Sequence, residues 1–112
     1  MKRPSSLKRH RKQAGTWLKG LREQAGLTQL ELADRLGFKY YSFVSQVENG
    51  FSRLPNEKME AWARTVGVDP SHFAKKLISS YEPELHRLLY EAKSRDKRHS
   101  KVSSLYRNQR AP

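Results

Sequence analysis

The chain has 112 residues, no cysteine and a formal net charge of +12. The lack of cysteine excludes disulfides and thiolate metal sites. No apolar run approaches the roughly 18 residues of a membrane helix. The basic N-terminus has no hydrophobic segment behind it, as a secretory signal would. One small domain with tails, in the cytoplasm, is the expectation.

The charge is unevenly spread. Residues 1–13 carry six basic residues and no acid, residues 93–112 carry seven basic residues against Asp96, and the middle of the chain sums to zero. A neutral body between two basic arms places long-range attraction to a polyanion in the arms and discrimination in the body. The arms, 1–13 and 93–112, lack periodicity and are expected to be disordered without a partner.

Ala14, Trp17, Leu18, Leu21 and Ala25 recur at helical spacing, so a first helix is predicted over 14–24, ended by Gly26. Thr28-Gln29-Leu30-Glu31 has the form of a capping box and opens a second helix that stops at Gly37. Phe38-Lys39-Tyr40 link it to a third helix over 41–49, stopped by Gly50. After the loop 51–56, Met59, Trp62, Ala63 and Val66 mark a fourth helix ended by Gly67. Asp69-Pro70 cap and start a fifth, with Phe73, Leu77 and Ile78 inward. Pro83 disfavours helix at Glu82, predicting a break near 80–82. Leu85, Leu88, Leu89 and Ala92 then mark a sixth helix over 83–92. No strand pattern or internal repeat is visible. The fold class is all-α: a compact five-helix domain over 14–79, an extra C-terminal helix and two basic arms.

The third helix carries the functional signal. At about 100° per residue, Tyr41, Ser42, Ser45, Gln46 and Asn49 share an arc of roughly 140°. Phe43, Val44, Val47 and Glu48 fill the opposite side. The outward set is polar and almost uncharged, unlike an ordinary solvated face. Small hydroxyl and amide groups suit close contact with base edges in a major groove. A buried Glu48 needs a partner.

Two short helices joined by a tight turn, the second polar outside, make a helix-turn-helix. The stretch LTQLELADRLG, followed by FVSQVENG, a loop with Pro55 and VGVDPSHF, resembles the phage repressor and Cro-like (Xre) helix-turn-helix family over about residues 14–77. The resemblance implies double-stranded DNA as partner. It implies that Tyr41, Ser42, Ser45 and Gln46 read base edges, and that Thr28, Gln29, Lys39, Tyr40, Asn49 and Arg53 lie along the DNA backbone. The start of the second helix favours an anion on its own account. Glu48 matches a family acid that pairs with an Arg of the first helix, here Arg22. Two departures stand out. The segment from Gly37 to Asn49-Gly50 is one residue longer than the common pattern, and the reading face has no Arg and one Gln. Bidentate base contacts, each contributing about 1–3 kcal/mol of discrimination, are therefore few, and DNA shape and the arms gain weight.

Other readings stay open. Tyr40 and Tyr41 bind DNA or pack the loop; Phe43 is expected half-buried against the second helix, and Trp17 and Trp62 in the core. The N-terminal arm enters a minor groove or acts as a diffuse tether. The sixth helix packs on the domain, forms a homodimer, or binds another protein. Catalysis is not expected: His10, His72, His86 and His99 show no metal-ligand spacing, and no phosphate loop, Ser-His-acid set or paired-carboxylate site is visible. No cofactor and no metal are expected. The reading is a sequence-specific transcriptional regulator of bacterial or phage type, associated with the nucleoid through DNA. Its competitors are the antitoxin of a toxin–antitoxin pair and an adaptor that binds proteins such as the transcription machinery.

Overall fold

A computed structural model describes residues 2–91, with side chains from Leu7 onward. Among the described residues six α-helices follow one another: α1 Lys2–Gln24, α2 Gln29–Leu36, α3 Ser42–Glu48, α4 Met59–Val66, α5 Pro70–Tyr81 and α6 Pro83–His86. No strand occurs among the described residues. Among the described residues no helix is long and apolar enough to cross a membrane.

Local chemistry sets most of these boundaries. The Thr28 hydroxyl accepts from Glu31 N at 3.0 Å, and Thr28 N donates to Glu31 Oε1 at 2.8 Å. This reciprocal pair satisfies two donors that a helix start leaves unpaired. Asp69 Oδ2 accepts from His72 N at 3.0 Å and Pro70 takes the first helical position, where its missing N–H costs nothing. α2 and α4 end at Gly37 and Gly67, both left-handed with φ 77° and 80°.

α1 packs against α3, α4 and α5, and α2 lies against α3 and α4. Leu18, Leu32, Val44, Val47, Leu54, Trp62, Phe73 and Leu77 are fully buried between them. Trp17 is half-buried on this core, its ring 5.5 Å from Phe73. Phe43 is also half-buried and meets Phe38 edge-on at 4.8 Å. This cluster holds the long turn between α2 and α3 against the body.

Three expectations need correction. The segment 1–13, expected as a disordered arm, is helical from Lys2, so α1 is more than twice its expected length. Pro4 falls in the first turn, where proline is tolerated, and Leu7 and Arg11 continue the spacing of Ala14 and Leu18. The charge-rich composition masked a helix that packs at its far end. α3 runs Ser42–Glu48, with Tyr41 and Asn49 as flanking caps rather than members of a helix over 41–49. The break expected near 80–82 is present: α5 runs through Tyr81 and the chain leaves the helix at Glu82, before Pro83. The sixth helix is α-helical only to His86; Arg87–Glu91 follow as a π-turn. The wider turn brings His86 Nδ1 within 3.4 Å of Glu91 Oε2, five residues on. Ala92 and the tail 93–112 lie outside the described residues.

Candidate nucleic-acid interface

A buried ion pair fixes the angle of α3. Arg22 Nε donates to Glu48 Oε2 at 2.7 Å, and Arg22 Nη2 to Glu48 Oε1 at 3.1 Å. The side chains are 8% and 2% exposed. The hydrogen bond to Glu48 holds the Arg22 pKa above its ordinary value against the opposing effect of burial. The third guanidinium nitrogen, Nη1, donates to Leu27 O at 2.7 Å. One side chain thus ties α1 to the end of α3 and to the entry of α2.

Backbone packing reinforces the tie. A Cβ at Gly15 would lie 2.2 Å from the Glu48 carbonyl oxygen, so only glycine lets α1 cross α3 this closely. Gly50, with φ 81°, takes the left-handed turn after α3, and a Cβ there would lie 2.8 Å from Lys12 Cα. These two close approaches clamp the C-terminal end of α3 onto α1.

On the outer face of α3, Ser42 and Gln46 are exposed and Ser45 is half-buried. Asn49 Nδ2 donates to Ser45 Oγ at 3.2 Å, and Ser52 Oγ donates to Gln46 Oε1 at 3.3 Å. Each leaves further donor and acceptor capacity on both partners. Tyr40 and Tyr41 are exposed, with Lys39 Nζ 5.5 Å from the Tyr40 ring centre. Lys39, Tyr40, Ser42 and Gln46 line a shallow concavity of about 270 Å³ floored by Phe38 and Phe43.

At the start of α2, the backbone N–H groups of Gln29 and Leu30 lie in the first helical turn, where donors lack intrahelical partners. Thr28 is exposed there and its hydroxyl is engaged in the cap. Hydrogen bonds from Thr28, its backbone N–H first, hold the Glu31 carboxyl below its ordinary range. Gln29 differs from the simple family picture. Its Nε2 donates to Glu48 Oε1 at 3.0 Å, so the side chain leans onto the ion pair.

Arg53, which the resemblance places along the DNA backbone, is held by three protein groups. Its Nη1 reaches Glu82 Oε2 at 2.7 Å, its Nη2 reaches Asn56 Oδ1 at 2.9 Å, and its guanidinium lies 4.9 Å from the Tyr81 ring centre. With both ends of the fork and one face engaged, it braces the α3–α4 loop instead of extending from it. Tyr81 completes the brace: Leu54 N donates to its hydroxyl at 3.0 Å. Burial pushes the Tyr81 pKa up, opposed by that hydrogen bond and by the charges of Arg53 and Arg11.

Phe51, 75% exposed just past the Gly50 turn that follows α3, and Leu30, exposed at the start of α2, were not anticipated. The signal for Phe51 was an apolar residue in a loop with no periodic partner. No cluster of His, Cys, Asp or Glu that could hold a metal occurs among the described residues.

A short helix entering a long turn, then a polar-faced helix locked by a buried Arg–Glu pair, define a helix-turn-helix DNA-binding domain. The family model described as Helix-turn-helix matches residues 18–73, and the chain belongs to this Xre/Cro-like family. No curated protein matches the chain.

Proposed function

We propose that the protein is a sequence-specific double-stranded DNA-binding regulator of transcription, acting in the cytoplasm on the nucleoid. The observation that carries this reading is the outer face of α3, polar, nearly uncharged and rigidly set by Arg22 and Glu48. Inserted in a major groove, Ser42, Ser45 and Gln46 meet base edges, with Tyr41 at the entry of the helix. Thr28, the free amides at Gln29 and Leu30, Lys39, Tyr40 and Asn49 follow the flanking strand. Arg53 acts through the loop it braces.

Leu85, Leu88, Leu89 and Tyr90 are exposed along α6 and the π-turn. This apolar stripe fits a homodimer, for which half-sites would lie about one helical turn apart. The same stripe favours a second reading in which it grips another protein, as an antitoxin grips its toxin or an adaptor the transcription machinery.

The test is an NMR titration of the full chain with duplex DNA. Amide shifts centred on 28–30 and 40–51 are expected. Shifts confined to 83–91 with a protein partner, and none with DNA, would replace this reading with the adaptor.

A further inference from the structure

The N-terminal half of α1 meets the far end of α3 in a concavity of about 540 Å³ lined by Leu7, Lys8, Arg11, Lys12, Asn49, Gly50 and Phe51. Three of these are cations and none is an acid. No ion pair engages Lys8, Arg11 or Lys12 among the described residues, whereas Arg22, Arg53, Arg64 and Arg87 are each paired with a glutamate. The backbone that carries Arg11 and Lys12 is fixed rather than tethered loosely, since Gly50 packs against it. Arg11 lines the same concavity as Phe51, in the α3–α4 loop.

We propose that this concavity is a phosphodiester-binding clamp for the DNA strand flanking the groove that α3 occupies. Lys8 and Lys12, both exposed, and Arg11, half-buried, supply the charge. The Phe51 ring, exposed at the rim, lies against deoxyribose. The proposal rests on the DNA-binding reading and adds to it. A segment whose composition suggests a diffuse tether becomes a rigid site with a fixed register relative to α3. It contributes affinity and position, and it carries no base preference, because phosphates are the same at every step.

A structural role competes with this one. Cations near the end of a short helix also complement its dipole. The two roles separate by salt dependence. Binding of the full chain to a fixed duplex is followed by fluorescence anisotropy over a range of salt concentrations. The Lys8→Gln/Lys12→Gln variant is compared with Lys75→Gln/Lys76→Gln, which removes equal charge from α5. Each phosphate contact contributes about 0.9 to the slope of log affinity against log salt. The clamp predicts a slope shallower by about 1.8 in the first variant, on the counterion-release rule, and near wild type in the second. Adding Arg11→Gln should reduce the slope further, with the thermal melt of Lys8→Gln/Lys12→Gln unchanged. Equal slopes in the two double variants would overturn the clamp in favour of a diffuse tether. A lowered melt with an unchanged slope would assign the cations to the dipole of α3. If the unaltered chain shows no salt-dependent binding to any duplex, the DNA reading falls, and the clamp with it.

Discussion

Arg22 of α1 and Glu48 of α3 form a two-point ion pair buried beneath the reading face, 2.7 and 3.1 Å apart at its two contacts. Gln29 of α2 adds a third hydrogen bond to the same carboxylate. The pair therefore fixes all three helices of the motif through one group. Removing one partner leaves the other charged and buried, and such losses run to about 3–5 kcal/mol. Arg22→Ala and Glu48→Ala should each lower unfolding free energy by that order in denaturant melts. Replacing both by methionine should be milder, since no buried charge is stranded. A single variant as stable as the double would contradict this account.

Two glycines of α1 should respond in opposite directions. Gly15→Ala drives a Cβ into the Glu48 carbonyl, and overpacking of this kind costs about 1–3 kcal/mol. Gly20→Ala meets nothing within 4 Å and removes a helix-interior glycine, so it should stabilise by about 0.5–1 kcal/mol. Thermal melts of the two variants read the difference directly.

Tyr81 makes alkaline stability a probe of the loop. Its folded pKa is raised by burial, so its contribution is complete below the unfolded value near 10 and is lost as pH rises through the folded value. Tyr81→Phe should flatten this alkaline loss. It should also cost about 1–3 kcal/mol at neutral pH, because the buried Leu54 N–H loses its acceptor. Unfolding curves across the alkaline range test both effects.

Arg53 separates bracing from DNA contact. Its pair with Glu82 is partly exposed, and such pairs contribute about 0–1 kcal/mol. Arg53→Gln should lower stability within that range and leave the salt slope of DNA binding unchanged. A slope shallower by about 0.9 would return Arg53 to the phosphate contacts.

The parts of this molecule set by neighbours in sequence were readable from it. The Thr28–Glu31 box, the Asp69-Pro70 start and the Gly37 and Gly67 stops are local devices, and each helix they bound lies where its apolar spacing points. Arg53 was not readable because its acid partner lies 29 positions away. The start of α1 was not readable either. Its Lys and Arg content resembles that of an arm, while the contact that orders it, Lys12 on Gly50, depends on the tertiary fold. The π-turn after His86 has no cue at all, since Leu85, Leu88 and Leu89 suit an α-helix equally well. In the site, residue types and helix phase placed Ser42, Ser45 and Gln46 together, but side-chain hydrogen bonds such as Gln29 to Glu48 depend on how α2 and α3 pack.

The central claim is that α3 reads DNA sequence. Selection from a random duplex pool, run in parallel with the full chain and its Ser42→Ala/Ser45→Ala variant, tests it most directly. The account predicts that the unaltered chain enriches one motif and that the variant enriches a changed or weakened one. Enrichment of the same motif by both would remove the two serines from recognition. Binding at low salt with no motif enriched by either would contradict the claim itself.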